Sequence, residues 1–502
     1  MEAPSNKLYS FDDNVINACY FDYRKFYIQT PPYSFFKEFY KEVSSSISAS
    51  CNPSEILQSG HFFHEFSHYM HLIGTPVCIF DNLLSIISQI RISRYVKSLA
   101  SSNINKICLP FYKYINENPE FLKSDYLLFR GVTSYLYCFY DQSNMPGLEN
   151  TKRMKFLDNY SANLFRYTQA TLQKSFIAFR VTFEVEGKIT KKLIPIGLYS
   201  ILEGFASLIQ EHLLLRYLPA EKIYRNVDDI VQDGKRIPYY VLRYYAHQKL
   251  NGLKKGDFGA IFAGALYLSL MNLNPIFYKN TFSPIDMKEF EEQTVEFLTQ
   301  LSHPSQTFFN AFFTLKDIVE EQGGVAPGEK GVIDLINKAC ERMDMPPLDS
   351  IYEVFSNFLR KMLNEFYSLE FKEFYFAKHY FELGLEVMKV AKENPYDFMV
   401  FPTGVAEKVG EKITPFAIKG IYSTKASPEK IRWYLFFNIM EQFLHKKRIF
   451  CHDKYVSGTN KHCRNDKECT VDKIDYPYSK CEKTFLDLLK DFLGDFSKLV
   501  PS

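Results

Sequence analysis

Residues 52–76 read NPSEILQSGHFFHEFSHYMHLIGTP and contain the pattern His-Glu-x-x-His at His64, Glu65 and His68. Two histidines four positions apart lie on one face of a helix, where both imidazoles can bind one metal ion with the glutamate beside them. An Asn-Pro pair at the start and a Gly-Thr-Pro sequence at the end are typical helix boundaries. We therefore predict a zinc-binding helix suited to metal-assisted hydrolysis.

Two further histidines, His61 and His71, share the same broad helical face. We interpret them as supporting groups or buried hydrogen-bonding residues rather than ligands. Glu65-x-x-His68 is also half of a di-iron carboxylate motif, but such a site needs a second Glu-x-x-His, and the chain has none. The pattern therefore favours zinc.

A catalytic zinc site of this type needs a third protein ligand, and residues 198–211, LYSILEGFASLIQE, offer Glu203. Apolar residues surround Glu203 on most of the helical turn, so its carboxylate is expected to be buried and to need a partner. A metal ion would satisfy it. The alternative is an exposed position on an amphipathic helix.

The segment Glu203-Gly204-Phe205-Ala206-Ser207 resembles the segment that carries the third zinc ligand in gluzincin metallopeptidases of the aminopeptidase N-like branch, within the zincin superfamily. The resemblance implies that His64, His68 and Glu203 bind zinc and that Glu65 is the general base. It covers only these two short motifs, which a long interval separates here. The chain also lacks the Gly-x-Met-Glu-Asn segment that anchors a free amino terminus in that branch, so the resemblance does not extend to aminopeptidase specificity.

Zinc hydrolysis also needs a donor for the tetrahedral oxyanion, commonly Tyr or His. Tyr240, Tyr244 and His247 follow Pro238 at the spacing i, i+4 and i+7, which places them on one face of a predicted helix. We predict that one of them is this donor. Aromatic packing is the alternative interpretation.

A run of β-branched and aromatic residues, 176–185, turns at a Glu-Gly-Lys sequence into residues 189–194 and predicts a β-hairpin. Its edge strand could align an extended peptide above the metal, as in zincin-like domains. A purely structural hairpin is the alternative.

Four cysteines near the C-terminal end, Cys451, Cys463, Cys469 and Cys481, could form a structural zinc site. Free thiols or two disulfides are the alternatives. The remaining cysteines stand singly among apolar neighbours, as free thiols do in a reducing compartment. These are Cys19, Cys51, Cys78, Cys108, Cys138 and Cys340.

The composition gives a class of protein but no partner. Of the 502 residues, 46% are hydrophobic and 17% aromatic, which is ample for a large core. The net charge of +2 provides no electrostatic reason to expect nucleic acid or a membrane as partner. The apolar run 258–277 contains Asn and Pro, so we expect a buried helix there rather than a membrane-spanning one. No secretory signal is visible at the N-terminus, and we therefore expect a cytoplasmic protein.

We predict a mainly α fold with a small β-hairpin or sheet, in which a zincin-like catalytic region precedes a helical C-terminal domain. The catalytic domain would span 1–321 with a helical insertion at about 77–174. The Gly/Pro-rich stretch 322–331 is the expected linker. The accessory domain would span 332–502 and carry the Cys/His cluster at 451–481.

The predicted function is a zinc metallopeptidase that acts on a peptide or protein substrate. It would hold one catalytic zinc, and a second, structural zinc if the cysteine cluster binds metal. The alternative is a metal-binding regulatory or interaction protein without peptidase activity. The sequence does not indicate an oligomeric state.

Overall fold

The structure is a computed structural model that describes residues 20–22, 27–29, 53–101, 107–111, 113, 154–169, 172–185, 188–217, 237–272, 303–368 and 375–400, with scattered positions between 405 and 501. Helices make up most of this part of the chain, as the sequence predicts. They are α1 (Pro53–Gly74), α2 (Pro76–Ser101), α3 (Leu198–Leu214), α4 (Ile237–Lys249), α5 (Lys255–Met271), α6 (Pro304–Gln322), α7 (Glu329–Arg342), α8 (Leu348–Ser368), α9 (Tyr375–Glu393) and α10 (Pro395–Val400).

The strands in the described part of the chain form three sheets. They are β1 (Tyr20–Asp22), β2 (Tyr27–Gln29), β3 (Ile107–Leu109), β4 (Met154–Gln169), β5 (Leu172–Val185), β6 (Lys188–Pro195) and β7 (Leu499–Pro501). Strands β4, β5 and β6 follow one another as an antiparallel meander, β1 pairs with β2, and β3 runs parallel to β7. The β5–β6 pair confirms the predicted hairpin.

The prediction of a helical region from about 77 to 174 is wrong at its C-terminal end. Helix α2 confirms its beginning, but residues 154–169 form strand β4, and residues 172–174 already belong to β5. The apolar pattern of this segment is compatible with either structure. Pairing with β5 along nearly the whole length of β4 decides for the strand, because strand formation depends on cross-strand partners that local sequence does not contain.

The meander packs on helices α4 and α6 through β5. Phe179 is fully buried, and its ring stacks on Tyr245 of α4 at 4.9 Å and meets Phe309 of α6 edge-on at 5.3 Å. The backbone N–H of Ile177 donates to the Ser305 hydroxyl at the start of α6. Strand β6 then leads through Ile196 and Gly197 directly into α3, so the sheet fixes where α3 begins.

Helices α1 and α2 meet at a junction where the carbonyl of Leu72 loses its normal helical donor. That donor would be the N–H of residue 76, and Pro76 has none. The hydroxyl of Tyr380 on α9 donates to the Leu72 oxygen instead, at 2.6 Å, and accepts from the Asn82 amide at 3.0 Å. A side chain of the C-terminal half therefore completes the end of α1.

The buried side chains form one contiguous core, to which all the helices contribute. At Gly384 of α9 the backbone comes so close to α1 that a Cβ atom would lie 3.1 Å from the Ile73 carbonyl oxygen. In the predicted linker, Gly323 caps the end of α6 in the left-handed conformation with φ 71°, and α7 begins at Glu329.

Helix α5 is buried from Ala260 to Met271, which confirms the buried helix predicted for the first part of the most apolar run, 258–277. Residues 273–277 lie outside the described residues. Within the described residues, no helix combines the length and apolar character required to cross a membrane.

Candidate metal centre

Helix α1 presents His64 and His68 one turn apart, as the spacing predicts, and its bounds match the predicted ones. The predicted N-cap, Asn52, lies outside the described residues. Each imidazole is buried to the same extent, with 9% of the residue exposed. The two rings lie edge-to-face, with centroids 4.9 Å apart, and their Nε2 atoms are 3.2 Å apart.

Helix α3 brings Glu203 to this histidine pair, 139 positions after His64 in the chain. Glu203 is 6% exposed, and its neighbours Leu202 and Phe205 are buried, so the carboxylate lies on the inner side of α3 as predicted. Its Oε2 atom lies 2.9 Å from His64 Nε2 and 3.3 Å from His68 Nε2. Among the described residues, these three side chains form the group of donors able to hold a metal ion.

The three donor atoms form a triangle with sides of 2.9, 3.2 and 3.3 Å. Ligands at zinc distances of about 2.0–2.2 Å in a tetrahedron lie about 3.3–3.6 Å apart. The donor atoms are slightly closer together than zinc ligands would be, because the groups are in hydrogen-bond contact with one another. A shift of a few tenths of an ångström would fit three corners of the tetrahedron, so two imidazoles and one carboxylate suit zinc in both chemistry and spacing.

The electrostatics keep Glu203 charged. Burial by itself raises the pKa of Glu203. The charges of His68 and His64 and their hydrogen bonds to the carboxylate have a larger, opposite effect and lower this pKa to about 2. The carboxylate is therefore anionic at neutral pH, which is the form that binds a metal ion.

Glu65 is half-buried, next to His64 in sequence and one helical turn before His68. Residues three apart on a helix are surface neighbours, so Glu65 stands beside the ligand face. The residue is partly exposed to solvent, and a group that transfers protons needs access to water and substrate.

The predicted oxyanion donors lie on α4, which packs beside α3. Leu242 of α4 approaches Gly204, the neighbour of Glu203, within 3.8 Å of where a Cβ atom would be. Tyr244 is half-buried, and the side chain of Tyr240 lies outside the described residues. His247 is exposed and stacks on Phe258 of α5 at 4.3 Å, the aromatic packing considered as the alternative. The donor role of this helix face stays a prediction.

The cysteine cluster 451–481 lies outside the described residues, and so does the side chain of His61. Cys78 and Cys340 are buried free thiols, as predicted. Burial raises the pKa of both thiols to about 12.

Two features near the centre were not predicted from sequence. Glu211, two turns after Glu203 on α3, forms a buried ion pair with Arg243 of α4. His71 is fully buried as expected, but within the described residues neither of its ring nitrogens has a hydrogen-bond partner. Both features arise where two helices meet, and no local pattern indicates which helices do so.

Comparisons with protein-family models, with curated proteins and with solved structures each found no match to this chain.

Proposed function

We propose that the protein is a zinc-dependent metallopeptidase with His64, His68 and Glu203 as ligands and Glu65 as general base. The observation that carries the proposal is the buried triangle of two imidazole nitrogens and one carboxylate oxygen, all within 3.3 Å of one another. Glu65, one helical turn before His68 on the same helix, would supply the base. Both helices that build the triangle carry motifs similar to those of gluzincin peptidases.

The donor set supports catalysis more than a structural role. Structural zinc sites in proteins are closed by four protein ligands, commonly including cysteine, whereas catalytic sites keep three protein ligands and one open position. Among the described residues, three side chains meet here, and each is slightly exposed to solvent. A structural site would also have no use for Glu65.

Zinc at this position would supply the Lewis acidity that activates water and polarises a peptide carbonyl. The half-buried Glu65 would take a proton from the attacking water and transfer it to the leaving amine. The anionic Glu203 would offset part of the metal charge, and the two imidazoles would bind as neutral ligands. A donor on the Tyr240, Tyr244 and His247 face of α4 would stabilise the oxyanion.

Hydrolysis of a peptide library by purified protein, with and without a chelator, tests this proposal. We expect cleavage that the chelator abolishes and added zinc restores. Glu65→Gln should bind zinc normally and lose cleavage, whereas Glu393→Gln, at an exposed glutamate of α9, should behave like the wild type. Zinc binding without cleavage of any peptide would favour the metal-binding regulatory protein instead.

A further inference from the structure

Two close contacts between α1 and α3 lie on either side of the histidine pair. On the N-terminal side, Leu214 packs so tightly on Gly60 that a Cβ atom there would lie 2.8 Å from the leucine side chain. On the C-terminal side, the rings of His71 and Phe205 stack with centroids 4.3 Å apart and planes 17° apart. Two contacts at different heights fix both the rotation and the sliding of one helix on the other, which a single contact does not.

The His71 ring acts in this contact by its shape. Its two nitrogens have no hydrogen-bond partner among the described residues, and the whole side chain is buried. Burial, followed by the nearby charge of His68, lowers the pKa of His71 to about 3, so the ring is neutral. Phe398 of α10 meets the His71 ring edge-on, with centroids 6.2 Å apart.

The stack is close to the ligands along both helices. His71 is three residues after His68, and Phe205 is two residues after Glu203. A loss of the stack would let α3 rotate or slide against α1. Because the ligand atoms must hold their places within a few tenths of an ångström, a small movement of α3 would displace the Glu203 carboxylate.

We propose that His71 is a positioning residue of the metal centre, which acts through its stack on Phe205 to hold Glu203 against His64 and His68. The inference rests on the proposed metal-dependent function. It goes beyond that function because it assigns a role to His71, which is not one of the proposed metal ligands.

The test compares four variants with the wild type in metal binding, measured by competition with a chromophoric chelator, and in the visible ligand-field spectrum after loading with cobalt. His71→Ala removes the ring, and His71→Leu removes the stack but keeps most of the apolar volume. His71→Phe keeps a flat ring. Phe355→Ala removes a buried ring that stacks on Phe358 within α8, and it controls for loss of stability alone.

We expect His71→Ala and His71→Leu to bind metal about ten- to a hundredfold more weakly and to change the cobalt spectrum. His71→Phe should restore both properties. Phe355→Ala should melt at a lower temperature and bind metal like the wild type. Circular dichroism shows which variants fold, and His71→Leu decides the outcome if His71→Ala does not fold.

Wild-type affinity and an unchanged cobalt spectrum in folded His71→Leu would overturn the positioning role and leave the proposed function intact. Equal weakening in Phe355→Ala would overturn it too, since general destabilisation would then explain the effect. A wild type that binds no metal would overturn the proposed function, and this inference with it.

Discussion

The hydroxyl of Tyr380 donates a 2.6 Å hydrogen bond to the carbonyl oxygen of Leu72, 308 positions earlier in the chain. Pro76 creates the need for this bond, because it has no N–H for the last turn of α1. The helix that carries His64 and His68 is thus completed by a residue of α9. Helix α9, in the C-terminal half of the chain, therefore helps to stabilise the end of α1, the helix that carries the histidines.

Tyr380→Phe should lower the free energy of unfolding by about 1–3 kcal/mol, because it leaves the buried Leu72 carbonyl without a donor. Denaturant unfolding monitored by circular dichroism measures the change. Tyr352→Phe is the matched control, since the buried Tyr352 hydroxyl has no partner among the described residues. The control variant should keep the free energy of unfolding of the wild type or raise it slightly. An equal decrease in both variants would contradict the assigned role of the Tyr380 hydrogen bond.

Glu203→Gln should weaken zinc binding by more than roughly a hundredfold. Replacing a residue that only hydrogen-bonds to a metal ligand already lowers metal affinity by about ten- to a hundredfold, and loss of a ligand should cost more. The amide keeps the shape of the side chain and removes its charge. His64→Ala and His68→Ala should lose the metal as well. Elemental analysis after dialysis provides the measurement, and full zinc retention in all three variants would reject the metal centre.

Gly74→Ala should destabilise the protein by about 1–3 kcal/mol through overpacking. A Cβ atom there would lie 2.6 Å from the Phe398 ring and 2.7 Å from Val387, and both of these side chains are buried. Gly259→Ala in α5 is the control, because nothing lies within 4 Å of its Cβ position. Since alanine favours a helix, that variant should gain about 0.5–1 kcal/mol. Thermal melting compares the two, and a stabilised Gly74→Ala would contradict the packing at the end of α1.

Cys78 and Cys340 should resist alkylation in the folded protein at pH 8. Burial raises the pKa of both thiols to about 12, which lowers their thiolate fractions by about three orders of magnitude relative to an ordinary cysteine. Peptide mapping by mass spectrometry after a timed pulse of iodoacetamide follows each thiol separately. Labelling in the native protein as fast as in urea would show that these thiols are not buried.

The cysteine cluster should hold a second equivalent of zinc if it is a metal site. Cys451→Ser or Cys469→Ser would then lose that equivalent and melt at a lower temperature, because structural zinc contributes to the free energy of folding. The equivalent bound at His64 should remain. Unchanged zinc content and melting temperature in both variants would identify ordinary thiols.

Strong local patterns made several elements predictable. The boundaries of α1, the buried helix α5 and the β5–β6 hairpin were all correctly predicted from periodicity and from Gly and Pro residues. Strand β4 was not, because its conformation depends on pairing with β5. The oxyanion donor, the cysteine cluster and the domain boundaries stay predictions.

The sequence alone placed His64 and His68 on one helical face with Glu65 beside it, since a separation of three or four residues fixes neighbours within a helix. It also marked Glu203 as a carboxylate among apolar residues, which needs a partner. Which partner it meets depends on how α3 packs against α1, as do the His71–Phe205 stack, the Glu211–Arg243 pair and the Tyr380–Leu72 bond. Each of these contacts joins residues more than a helix length apart in the chain. They form only when helices pack into one core, because side-chain shape and buried area, rather than local spacing, select which faces meet.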